Sequence, residues 1–143
     1  MKNWIAALVV ALLLVPGSSA FAGSLESLSD VKALTDSAMK DISGGKIDAG
    51  FEALKPHVGF SQEQFGEFKA HVADQMPQVE THMGKNVGYE LVEDKELGTS
   101  LYRAVYLQKQ ETSALVWYFT FYKGADGWTL NDFDFNDHIK DLF

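Results

Sequence analysis

Along residues 28–42 the apolar side chains Leu28, Val31, Ala38, Met39 and Ile42 fall on one arc of a helical wheel, with Thr35 in the middle and charges opposite. Ser27 with Asp30 three residues on supplies a capping-box start, and Gly44-Gly45 supplies the stop. A short second helix follows, with Asp48 as its cap, Phe51 and Leu54 on its buried side, Ile47 and Val58 extending the stripe, and Pro56 at its end. The third helix has Ser61 and Gln64 as a capping box, and Phe60 and Phe65 at the two positions of a hydrophobic staple. Its stripe of Phe65, Phe68, Val72, Met76, Val79 and Met83 carries the helix past Pro77 to a stop at Gly84.

After Gly88 the period changes from helical to alternating, and aromatic residues concentrate. Four strands are expected, Tyr89 to Leu97, Thr99 to Lys109, Ser113 to Lys123 and Trp128 to Asn136. They are joined at Gly98, at Gln110-Glu111 and at Gly124 to Gly127, connections short enough for an antiparallel meander. With Gln110-Glu111 as a two-residue turn, Tyr102, Ala104 and Tyr106 share the helix-facing side with Leu115, Trp117, Phe119 and Phe121. Val105, Leu107, Val116, Tyr118 and Tyr122 lie behind, and a bulge near Asn131-Asp132 brings Phe133 and Phe135 to the side of Trp128 and Leu130.

The first 22 residues are read as an address. Lys2 precedes eleven apolar residues, Ile5 to Val15, then Pro16-Gly17 and a small-residue site at Ala20-Phe21-Ala22. That pattern predicts a secretory signal peptide cut before Gly23, leaving a single domain over 23–143 in a periplasm or the outside medium. Eleven residues rise about 16 Å against a hydrocarbon core of about 30 Å, too short to span. The chain of 143 residues carries a net charge of −8 and no cysteine. Without a basic run it lacks the electrostatic hold on phosphate backbones and anionic lipids, so neither nucleic acid nor, after cleavage, a membrane is an expected partner.

Candidate chemistry is sparse. His57, His71, His82 and His138 include no pair at metal-ligand spacing; His71 and His82 lie about 16 Å apart along one helix. Asp132 to His138 starts like a calcium loop, but Asp137 stands where the turn needs glycine and Phe143 where a glutamate should close it, which favours a strand with a solvated face. Gly44-Gly45-Lys46 lacks the spacing of a phosphate loop. No metal or cofactor is called for. Tyr102, Tyr106, Trp117 and Phe119, with His71, are the candidates to line an apolar pocket, weighed against plain core packing. The outer set of Val105, Leu107, Val116, Tyr118 and Tyr122 is too apolar to be left in water as one patch, and a homodimer through the sheet would cover it.

Helices first and a curved meander last, with Leu115 to Tyr122, a glycine turn and then Trp128 to Phe133, resemble the nuclear transport factor 2-like or cystatin-like α+β superfamily, and within it small exported bacterial proteins. The resemblance implies N-terminal helices packed on a curved four-stranded antiparallel sheet. Isomerases and dehydratases of that superfamily keep an Asp or His base facing the cone; no position here matches such a motif, and the Gln-x-Val-x-Gly signature of inhibitory cystatins is missing. The expected function is therefore a noncatalytic exported domain that binds a small apolar ligand or a protein partner. The alternative is an isomerase or hydrolyase whose base is His71, His57 or an Asp of the last strand.

Overall fold

The computed structural model describes residues 25–143, so the expected signal peptide lies outside the described residues. Helix α1 spans Leu28–Ser43, and both halves of its capping box form: Ser27 Oγ accepts from the Asp30 N–H at 3.1 Å, and the Asp30 carboxylate accepts from the Ser27 N–H at 3.2 Å. The arc of Val31, Thr35, Ala38, Met39 and Ile42 is buried as its periodicity requires.

Helix α2, Ile47–Leu54, starts two residues earlier than Asp48 could allow as a cap. The Gly44-Gly45 turn draws the Lys46 N–H onto Asp41 at 2.8 Å, so Lys46 is the N-cap residue. Asp48 falls in the first turn and pairs instead with Lys69, at 2.8 Å. Gly50 lets α2 lie directly on α1, because a Cβ there would stand 2.7 Å from Ile42 Cγ1 and 2.9 Å from the Ala38 carbonyl oxygen. A 3₁₀ turn at Lys55–His57 leads to α3, Gln62–Met83. Ser61 caps α3 through the Gln64 N–H at 3.1 Å, making one half of the expected box, and Phe60 and Phe65 form the staple with ring centroids 6.1 Å apart. The helix runs through Pro77, whose missing N–H removes the usual partner of the Ala73 carbonyl.

Strands β1 (Asn86–Leu97), β2 (Leu101–Gln110), β3 (Ala114–Gly124) and β4 (Gly127–Asn136) form one open antiparallel sheet in the order β1-β2-β3-β4. Three helices on one face of this four-stranded sheet make an α+β fold. The β2–β3 turn lies at Glu111-Thr112 rather than Gln110-Glu111, with the Gln110 N–H donating to the Ser113 carbonyl at 2.9 Å. The turn is drawn there by α3's end: the Glu111 and Thr112 N–H groups donate to the Lys85 and Met83 carbonyls. A one-residue move of the turn shifts the register by two, which preserves facing. Tyr102, Ala104 and Tyr106 therefore still share the helix side, now opposite Phe121, Phe119 and Trp117. In β4, Asp132 pairs with Thr120 and Leu130 with Phe121, leaving Asn131 as the extra residue of a bulge that keeps Trp128, Leu130 and Phe133 in the core.

After β4 the chain folds back over the outer face, where a 3₁₀ turn at Ile139–Leu142 packs on β3. Val105 and Val116 are completely buried within the single chain. Leu107 and Tyr118 are half-buried, and Tyr122 stays 47% exposed beside Leu97 and Leu101. No helix among the described residues is long and apolar enough to cross a membrane.

Candidate functional site

Where the C-terminal end of α1 and the second half of α3 part from each other above β2, they leave a cleft of about 560 Å³. Ile42, Ile47, Ala73, Met76 and Pro77 form apolar walls, and Gln108, Gln110 and Asn86 lie at the sheet side. Four polar side chains are buried among the described residues: Thr35, Ser43, Gln108 and Gln110. Thr35 is satisfied inside α1 by donating to the Val31 carbonyl at 2.6 Å. The other three all line the cleft.

The amides at the sheet side form an ordered network. Trp117 Nε1 donates to Gln108 Oε1 at 3.0 Å. An indole N–H can only donate, so this bond fixes which end of the Gln108 amide is oxygen. Gln108 Nε2 then faces Gln110 Oε1 at 3.5 Å and the Met76 thioether at 3.8 Å. Gln110 is fixed the opposite way, because its Nε2 donates to the Gly84 carbonyl at 2.9 Å while its Oε1 accepts from Asn86 Nδ2 at 3.1 Å. Gly84 holds this corner with φ at +82°, and a Cβ there would collide with Glu111. The cleft contains one ionisable lining side chain, Glu80, exposed at its rim.

Of the residues expected to line a pocket, Tyr102, Tyr106, Trp117 and Phe119 are packed into the core, each at most 2% exposed. Trp117 stacks on Phe135 at 4.8 Å and lies 5.6 Å from Phe133, while Phe119 stacks on Phe133 at 4.6 Å. Only Trp117 reaches the cleft, indirectly, through its bond to Gln108. His71 is exposed on α3, its ring 6.0 Å from Phe135, in a separate groove with Gln75 and Val79. The structure thus does not bring the five together. Gln108, Gln110 and Asn86 were not singled out by sequence, although Gln108 and Gln110 continue the helix-facing alternation of Tyr102, Ala104 and Tyr106. Amides on a core-facing parity are the signal that could have found them.

A second polar seam joins α1 to the sheet at its β1 side. Tyr89 donates to Asp36 at 3.1 Å, and Lys32 pairs with Asp94 at 3.1 Å while lying 5.5 Å over the Tyr102 ring. Burial pushes the Tyr102 and Tyr106 hydroxyls well above the usual phenol range, helped by Asp94 at Tyr102 and by Asp36 at Tyr106. His57, in the 3₁₀ turn before α3, has a buried Nδ1 without a hydrogen-bond partner, and burial lowers its pKa. Among the described residues no three histidine, aspartate or glutamate side chains gather as a metal-binding set. No known protein family, curated protein or solved structure matches the chain.

Proposed function

We propose that the mature chain is an exported, noncatalytic binding domain whose cleft between α1, α3 and β2 takes one small, mainly apolar molecule. One observation carries the reading: the two buried amides of the sheet, Gln108 and Gln110, converge on this cleft with Ser43, amid apolar walls. A few convergent polar groups in an apolar recess are the ordinary construction of a small-molecule site. Binding is favoured over isomerase or hydrolyase chemistry because a general base needs a titratable group inside the recess, and Glu80 at the rim is in water. The order of helices and meander supports placing the chain in the nuclear transport factor 2-like or cystatin-like superfamily. Self-association through the sheet would rest on Leu97, Leu101 and Tyr122, since Val105 and Val116 are covered by the chain itself.

Native mass spectrometry of protein purified from the exported fraction without ligand removal tests the binding reading. The expected result is a small-molecule adduct that disappears in Ala73→Trp, a substitution at the exposed wall of the cleft, with an unchanged unfolding midpoint. An adduct retained in Ala73→Trp, or a bare wild-type mass, refutes the site.

A further inference from the structure

We infer that the cleft selects neutral carbonyl compounds, and that Gln108 is the residue that reads the carbonyl oxygen; this rests on the cleft being a ligand site. Gln108 is only 3% exposed, and its two ends are unequally satisfied. Its oxygen accepts a well-formed bond from Trp117 Nε1 at 3.0 Å. Its NH₂ group carries two hydrogens and has two weak acceptors, a thioether sulfur at 3.8 Å and a shared amide oxygen at 3.5 Å, the outer limit of a hydrogen bond. A buried donor so poorly matched favours any ligand that supplies a better acceptor.

The charge around the cleft narrows the acceptor's kind. No lysine or arginine lines it, Glu80 sits at the rim, and Pro77 leaves the Ala73 carbonyl without its helical donor on the same wall. A carboxylate or phosphate would meet these negative groups with no cation to offset them. A ketone, ester or amide oxygen presents the acceptor without the charge. Orientation is held from both sides, since Trp117 can only donate and the Gly84 carbonyl beneath Gln110 can only accept, so the amide pair cannot flip to offer an acceptor instead.

Three probes of one size separate the contributions: acetophenone, cumene, which replaces the carbonyl by an apolar branch of the same shape, and benzoate. Each is titrated into ¹⁵N-labelled wild type, Gln108→Met and Ala73→Trp, with cleft-lining backbone and Gln108 side-chain resonances followed. Acetophenone is expected to shift the Gln108 side-chain N–H downfield in wild type, and cumene to leave it in place. The affinity of acetophenone relative to cumene should fall about fivefold in Gln108→Met, the share of one neutral hydrogen bond. Benzoate should bind at least about tenfold more weakly than acetophenone, the order expected when a charge is left unpaired. If cumene and acetophenone both bind in a manner lost in Ala73→Trp, yet neither moves the Gln108 side chain, the carbonyl reading is overturned and the cleft reading stands. If no probe perturbs the cleft of wild type, both readings fall. Should Gln108→Met fail to fold, the wild-type side-chain resonance decides alone.

Discussion

Replacing Trp117 by alanine tests the core and the cleft together. The indole is entirely buried, stacked on Phe135 at 4.8 Å, packed on Phe133 at 5.6 Å, and bonded through Nε1 to Gln108 Oε1 at 3.0 Å. Removing a buried aromatic ring of this size costs about 3–5 kcal/mol. The stranded Gln108 oxygen would add about 1–3 kcal/mol if left dry, and less if water enters from the adjoining cleft. Against a typical domain stability of about 5–15 kcal/mol, Trp117→Ala should leave the fold marginal. Trp117→Phe divides the effect, because it keeps an aromatic surface against Phe135 and removes the donor. It should cost about 1–3 kcal/mol, dominated by the unpaired amide. Urea unfolding at neutral pH reads both variants, with an unchanged slope confirming that the unfolded reference is the same. A loss below about 1.5 kcal/mol for Trp117→Ala would mean that the ring borders open space, contradicting its burial. A loss for Trp117→Phe equal to that for alanine would show the hydrogen bond, rather than the ring, to be the main contribution.

Gly50→Ala should lower stability by about 1–3 kcal/mol despite alanine's better helix propensity, since its Cβ would meet the Ala38 carbonyl 2.9 Å away across α1; equal or raised stability on chemical unfolding would refute this close helix contact. The raised Tyr102 and Tyr106 values give an alkaline dependence: unfolded tyrosines ionise near pH 10 while these two stay protonated when folded, so their contribution is intact below about pH 10 and is lost as pH climbs toward the folded values. Absorbance titration should show two phenols that ionise only with unfolding, and five ionising together near pH 10 in folded protein would contradict it. Truncation after Asn136 removes the segment lying on β3 and should uncover Val105 and Val116, raising dye binding and sedimentation coefficient; an unchanged monomer would mean that the 3₁₀ turn does not shield that face.

Much of the local architecture is legible in the sequence because its causes are local. Ser27-Asp30 and Ser61-Gln64 announce helix starts because an orphan backbone N–H of the first turn donates to a serine hydroxyl oxygen three residues before it. Alternation assigns Tyr106 and Trp117 to one face even with the turn misplaced, because moving a turn by one residue shifts register by two and leaves parity untouched. The aromatic change of phase around Asn131 likewise forecasts the β4 bulge.

What the tertiary structure alone decided is how far apart these faces stand. Tyr102, Trp117 and Phe119 fit a pocket lining as well as the core packing that large aromatics usually provide, and only the approach of the helices filled the space above them. Gln108 shares their parity, but whether an amide there meets helix, water or a cleft depends on where α1 ends and how α3 crosses, a distance no periodicity encodes. The outer face depends in the same way on the return of residues 137–143, whose mixed composition carries no period at all. Side-chain direction is a property of neighbouring residues along the chain, whereas cover and void are set by elements far apart in sequence that meet only when the whole core closes.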